Sequence, residues 1–140
     1  NVRAGDSEIL NLQPLLQTDF MEICRTIEDQ ELDRIDIRFE NKATVCKYVV
    51  PEGFPEPEGN VGLRVDEEAV GTAGCSLFYS CFKAGEGLYE PSPRLVAVTG
   101  IADTLKEAWE RCEEGITHIH GEGLYHRRDI GTEELARRYP

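Results

Sequence analysis

The chain has 140 residues, 40% of them hydrophobic, with a formal net charge of −12 and a pI near 4.6. That length suits one domain with a real core, and the hydrophobic share argues against disorder. The acidic excess excludes a surface that wraps nucleic acid, no apolar run approaches the ~20 residues that cross a bilayer, and an anionic substrate would have to meet a local cluster of cations.

The cysteines are Cys24, Cys46, Cys75, Cys81 and Cys112, an odd number with no C-x-x-C pair. Neither a disulfide framework nor a zinc site is indicated, and reduced thiols in a cytoplasmic protein fit best. Cys46 and Cys112 lie among apolar neighbours and are expected in the core.

Residues 1–8 read as a loop. Asp6 or Ser7 is expected to cap a short helix running to about Leu12, with Pro14 ending or bending it. A second helix begins near Asp19, where Asp19 and Glu22 have capping-box spacing and Phe20, Ile23, Cys24 and Ile27 mark one apolar face; it ends by Gln30. Residues 31–42 are charged and weakly patterned, and the domain boundary is placed there. Residues 43–50 are β-branched and aromatic enough for a strand, and residues 51–59, with three prolines and two glycines, form a loop.

Residues 62–66 suit a short strand and residues 77–83 a better one, followed by a hairpin turn at Gly85-Glu86-Gly87. Phe78, Tyr79 and Phe82 on it read as core or edge residues. Residues 94–101 form the most apolar strand. Thr104 and Glu107 cap the best helix, whose Leu105, Ala108, Trp109, Cys112, Ile116 and Ile119 follow helical periodicity and should pack on the sheet. Gly121 and Gly123 stop it. Residues 125–131 are a polar loop, and Thr132 caps a short last helix. Strands followed by one long packing helix predict an α+β fold with a mostly antiparallel sheet.

The chemistry-bearing residues concentrate at the N-terminus, where the chain opens abruptly on N-x-R-x-G-D-x-E. Phosphoryl transfer needs oxygen ligands for a divalent cation and a positive group for the moving phosphate. Asn1 offers a neutral oxygen, Arg3 a forked guanidinium, and Gly5 a backbone that a ligand can approach. Asp6 and Glu8 would bind metal, orient Arg3, or simply cap the next helix. A scaffold is absent on the N-terminal side of this loop, so the chain reads as a fragment of a longer enzyme. Gly53-Phe54-Pro55 is either a loop that closes over a substrate or a tight turn between strands. Arg127, Arg128 and Asp129 either reach a phosphate or pair among themselves to fix the C-terminus. His118, His120 and His126 lack the companions a metal site needs.

N-x-R-x-G-D-x-E followed by LLQTDFMEIC at residues 15–24 resembles the end of the ATP-grasp domain in the phosphoribosylamine–glycine ligase (glycinamide ribonucleotide synthetase) family. VVPEGFP at 49–55 is similar to that family's Gly-Tyr-Pro loop, RLVAVTGIADT at 94–104 to its following strand and helix cap, and HRRDIG at 126–131 to its R-K-D-I-G. The resemblance covers nearly the whole chain, in order. It departs at Ala4 and Ser7, where the family has Phe and Pro, and at Arg128, where the family has Lys.

What the resemblance implies is specific. The family's enzyme uses ATP to phosphorylate the carboxylate of glycine, and the amine of 5-phosphoribosylamine then displaces phosphate, in de novo purine biosynthesis. Asn1 matches a ligand of Mg²⁺ or Mn²⁺ whose Glu partner would lie upstream of this segment. Arg3 takes the catalytic role of neutralising the transferred phosphate. Gly5, Asp6, Glu8, Gly53 and Arg128 are assigned to substrate binding. Residues 1–35 would be the last helices of the ATP-grasp domain, and residues 36–140 the family's C-terminal domain, packed natively against the missing ATP-grasp part and inactive alone. The alternatives are the C-terminal part of another ATP-grasp carboxylate–amine ligase, and a non-catalytic interaction module.

Overall fold

The computed structural model describes residues 3–56, 61–80, 83–84, 88–89 and 94–138. Its centre is a four-stranded antiparallel sheet in the order β3-β6-β1-β8. The strands are β1 (Ala43–Pro51), β3 (Cys75–Tyr79), β6 (Val96–Ala102) and β8 (Leu124–Tyr125). The sheet and its packing helices match the α+β expectation. The most apolar strand, β6, takes one of the two inner positions, because a strand buried on both faces has no use for alternation: Val96, Ala97, Val98 and Thr99 have no exposure at all.

The two faces carry different partners. Val45, Val49, Val96, Val98 and Ala102 point to one face and meet Ala108, Cys112 and Ile116 of α4 (Leu105–Thr117) in one core. Gly100 makes this close approach possible. A Cβ there would stand 2.2 Å from the Ala108 carbonyl oxygen and 2.7 Å from the Cys112 nitrogen, so α4 backbone lies directly on the strand. As expected, Thr104 caps α4, its Oγ1 accepting from the Glu107 N–H at 3.2 Å.

The opposite face holds α1 (Asp6–Leu12). The last carbonyls of a helix have no partner within it. Here Thr99 Oγ1 donates to the Leu10 carbonyl at 3.2 Å and Thr44 Oγ1 to the Asn11 carbonyl at 3.1 Å, which fastens α1 to β6 and β1. The N-cap of α1 is Gly5, without a side-chain bond. Asp6 and Ser7 fall inside the helix, so the capping role expected of them is not taken up.

Helix α2 (Phe20–Glu28) starts as the capping pattern requires: Asp19 Oδ1 accepts from the Met21 and Glu22 N–H groups at 2.7 and 3.1 Å. Its apolar stripe is only partly covered: Phe20 and Ile27 are each 56% exposed, while Ile23 and Cys24 are half-buried. Residues 31–42 carry a 3-10 turn at Leu32–Arg34 and a bridge between Leu16 and Phe39.

Other boundaries moved. Residues 67–72 form an unforeseen helix, α3 (Glu67–Thr72), capped by Asp66 after β2 (Arg64–Val65). The strand placed at 77–83 is β3 from Cys75 to Tyr79, and Lys83 belongs to β4 (Lys83–Ala84), which pairs with β5 (Leu88–Tyr89). The turn expected at Gly85–Gly87, and Phe82, lie outside the described residues. Helix α4 ends at Thr117, before the glycines, because Ile119 leaves the helix to pair as β7 (Ile119–His120) with β2. Gly121 and Gly123 therefore belong to the tight connection between β7 and β8. Thr132 precedes α5 (Glu133–Arg138) and accepts from the Leu135 N–H at 3.4 Å, as a cap should.

Candidate functional site

On the α1 side of the sheet a cleft of about 620 Å³ opens. Ser7 and Asn11 of α1 form one wall, and Tyr48 and Val50 of β1 form the floor. The turn after β1 supplies Gly53 and Phe54, β8 supplies Tyr125, and the segment after it Arg127 and Ile130. Arg94, just before β6, completes it. Apolar and aromatic groups, together with Glu52, thus surround two guanidiniums, each paired with a carboxylate at its edge, and the guanidiniums offer forked donors to a small organic anion.

Each part is held in place by identifiable bonds. Gly53 has φ of 83°, a left-handed conformation that Gly adopts freely, and the Phe54 N–H donates back to the Pro51 carbonyl at 3.2 Å. The Glu52 N–H donates to the Gly123 carbonyl at 2.6 Å, tying this turn to the connection before β8. Tyr48 donates from its hydroxyl to Asp6 Oδ1 at 2.7 Å, while Arg94 pairs with Asp6 Oδ2 and lies 5.0 Å from the Tyr48 ring centroid. Burial, then the bond to Asp6, pushes the Tyr48 phenol above its ordinary pKa. Arg127 makes a fork to Asp129, Nε to Oδ1 at 3.0 Å and Nη2 to Oδ2 at 2.5 Å. Asn11 Nδ2 donates to the Ser7 carbonyl at 3.0 Å, and its Oδ1 is buried without a hydrogen-bond partner among the described residues.

The candidate residues separate into three groups. Gly53 lines the cleft, and Asp6 orients two of its lining side chains. Arg3, Gly5 and Glu8 stand outside its lining; Arg3 is exposed and donates to the Ala4 carbonyl at 3.2 Å, and the Glu8 carboxylate folds back over Gly5, where a Cβ would meet Oε2 at 2.0 Å. Arg128 lies beside the cleft, in a shallow pocket with His126 and Asp129, and it is Arg127 that enters the cleft. Asn1 lies outside the described residues. Among the described residues no three His, Cys, Asp or Glu side chains come together in a way that could hold a metal ion. The pairing of Asp129 with an Arg is present, and its partner is Arg127.

Sequence reasoning missed one charged group entirely. Lys47 is on β1, its side chain fully buried on the α4 face, with Nζ 2.5 Å from Glu113 Oε1, 3.2 Å from the Arg128 carbonyl and 4.9 Å from the Trp109 ring centroid. His126 Nε2 lies 3.1 and 3.2 Å from the two Glu113 oxygens. Burial raises the Glu113 pKa, but the bonds to Lys47 and His126 outweigh it and hold the carboxyl below its ordinary range. A charged residue within an apolar strand (Val45-Cys46-Lys47-Tyr48-Val49) was the available signal.

A family model for the phosphoribosylglycinamide synthetase C domain matches residues 44–133. The chain is 47% identical over 140 residues to the phosphoribosylamine–glycine ligase of Methanocaldococcus jannaschii, covering 99% of this chain and 31% of that protein. It is 46% identical over 140 residues to the enzyme of that name from Methanococcus maripaludis, with the same shares. For Methanothermobacter thermautotrophicus the identity is 43% over 139 residues, covering 97% of this chain and 31% of the relative. The chain therefore spans less than a third of the length of these curated relatives.

Proposed function

The chain belongs to the phosphoribosylglycinamide synthetase C-domain family, and from that premise we propose that it is the C-terminal part of a phosphoribosylamine–glycine ligase of purine biosynthesis. The reaction would be the ATP-dependent, ADP-forming joining of glycine to 5-phosphoribosylamine. A carboxylate is a poor electrophile until one oxygen becomes part of a leaving group. Phosphorylating glycine on its carboxylate gives an acyl phosphate and ADP; the amine of the sugar then attacks the acyl carbon and phosphate departs.

The observation that carries this reading is convergence on one cleft. Helix α1, following the N-terminal loop, the Gly53-Phe54 turn, Arg94 and the Arg127 segment lie far apart in sequence, yet all line it. These are the segments in which the family resemblance resides. In this reading Arg127 and Arg94 receive the 5-phosphate of the sugar, Gly53 lets the turn lie close to the ribose, and Arg128 adds positive charge at the rim. Arg3 would approach the transferred phosphate. Gly5, Asp6 and Glu8 would shape and orient that loop, with Asp6 acting through Tyr48 and Arg94. Asn1 would give its amide oxygen to Mg²⁺ or Mn²⁺, which would screen nucleotide phosphate charge when bound; its carboxylate partner and the rest of the ATP site would come from outside this segment. We place the domain boundary near residue 35, take the exposed Phe20 and Ile27 of α2 as part of the surface that packs against the rest of the ATP-grasp domain, and assign the protein to the cytoplasm.

The test is an assay of ADP formation by the full-length protein with glycine and phosphoribosylamine. Activity should depend on both acceptor substrates and fall steeply in Arg3→Ala. The 140-residue chain alone should be inactive; ADP formation by it, or full-length activity that ignores either substrate, would contradict the proposal.

A further inference from the structure

Arg127 sits in the middle of a tripeptide whose two ends are fastened to the core on the far side of the sheet edge. The side chain of residue 126 meets Glu113. The carbonyl of residue 128 accepts two hydrogen bonds from the core, one from Lys47 Nζ at 3.2 Å and one from Trp109 Nε1 at 3.0 Å. Both lone pairs of that carbonyl are therefore occupied by side chains packed between β1 and α4. Between these anchors Arg127 turns the other way, into the cleft.

Packing alone does not ask for this arrangement. On the same face of β1 the neighbours of Lys47 are Val45 and Val49, both buried and apolar. Replacing a buried ion pair by apolar side chains of similar volume is commonly neutral or stabilising. A lysine at this position, aimed at a backbone oxygen next to a cleft arginine, serves placement better than stability. A binding group placed to within a fraction of an ångström by buried partners loses less freedom when ligand arrives.

We infer that Lys47, Trp109 and Glu113 are positioning residues for Arg127, which they hold over the cleft to receive the phosphate of a phosphorylated sugar. This rests on the proposed sugar-phosphate role of the cleft. Lys47 and Trp109 fix the Arg128 carbonyl, Glu113 fixes Lys47 and His126, and Asp129 then sets the guanidinium plane.

The experiment is calorimetric titration of the 140-residue chain with ribose 5-phosphate, alongside urea unfolding of each variant. Lys47→Met should weaken binding about tenfold while still unfolding cooperatively, at a lower midpoint because Glu113 loses its buried partner. Trp109→Phe, which keeps an aromatic side chain but removes the indole N–H together with the five-membered ring that carries it, should weaken it about threefold. Arg127→Ala should weaken binding at least as much as Lys47→Met, and adding Lys47→Met to Arg127→Ala should cost nothing more, a non-additivity expected only if one residue acts through the other. If Arg127→Ala weakens binding but Lys47→Met and Trp109→Phe do not, the inference is overturned and the function of the cleft stands. If the parent chain fails to bind ribose 5-phosphate, or Arg127→Ala binds as the parent does, the reading of the cleft fails and takes the inference with it.

Discussion

Arg94, two residues before β6, is paired with Asp6 in the first turn of α1, and Tyr48 from the neighbouring strand donates to the same carboxylate. One carboxylate thus joins the N-terminal motif to the sheet and sets two walls of the cleft. The pair is solvent-exposed, 45% and 54% at its two side chains, and such pairs contribute roughly 0–1 kcal/mol to stability. Asp6→Ala should therefore move the unfolding free energy by less than ~1 kcal/mol, while releasing the orientation of Arg94. Ribose 5-phosphate affinity should fall several-fold, by titration calorimetry. An unchanged affinity would separate α1 from the cleft's function.

The Lys47–Glu113 pair behaves differently because the lysine has no water to return to. Glu113→Ala leaves an uncompensated buried cation, for which the expected cost is about 3–5 kcal/mol. Urea unfolding followed by tryptophan fluorescence reads this directly, since Trp109 is the single Trp of the chain and lies against Lys47. A loss below about 1 kcal/mol, the scale of an exposed pair, would show that the pair is not buried as described.

The same carboxylate makes stability depend on pH with a definite sign. Glu113 is held below its ordinary pKa of 4.5 in the folded chain. The unfolded chain then binds the more protons as pH falls past that value, so the stabilisation is fully present above about 4.5 and is lost as pH drops through the folded pKa. Comparing unfolding free energies at pH 5.5 and about pH 3, Glu113→Gln should reduce the acid-induced loss relative to the parent. An identical acid dependence in the two proteins would remove Glu113 from the account.

Gly100 allows helix and strand to touch through their backbones. A methyl there has no room beside the Ala108 carbonyl and the Cys112 nitrogen, and such overpacking typically costs about 1–3 kcal/mol. Gly100→Ala should lower the thermal midpoint by several degrees, whereas Gly71→Ala, at a position with open space around it, should leave it unchanged or raise it slightly. Equal midpoints for the two variants would contradict the packing of α4 on β6.

Burial drives the Cys112 thiol up to about 12 and the Cys75 thiol up to about 11. Thiolate is the reactive species, so the buried Cys112 should not be alkylated by iodoacetamide at pH 8 in the folded chain, and the half-buried Cys75 should react only slowly. Peptide mapping should find Cys112 modified only at a rate that follows unfolding of the core. Prompt labelling of Cys112 in native buffer would show that the core is open there.

Much of the fold was legible because local chemistry and tertiary packing agree. Asp19 and Thr104 start their helices as expected, since a cap satisfies backbone N–H groups whatever the helix later meets. The β-branched and aromatic residues 43–50 and the apolar run at residues 94–101 give β1 and β6 away. Ile119 misled because it continues the helical period of α4 yet is taken into pairing with Val65, a partner more than fifty positions away. Asp6 misled for a similar reason: an acidic residue at a helix start reads as a cap until a distant Arg94 claims it. Arg127 and Arg128 are indistinguishable in sequence, and only the anchoring of the Arg128 carbonyl decides which guanidinium faces the cleft. Lys47 was invisible as a pairing residue because its partner, Glu113, is one acid among many on an acidic chain.

The most direct test of the whole account is a two-dimensional amide NMR titration of the chain with ribose 5-phosphate. The account predicts saturable shifts confined to Ser7, Gly53, Phe54, Arg94, Tyr125 and Arg127, lost in Arg127→Ala. Shifts clustered instead around α2 or α3, or none at saturating sugar phosphate, would contradict it.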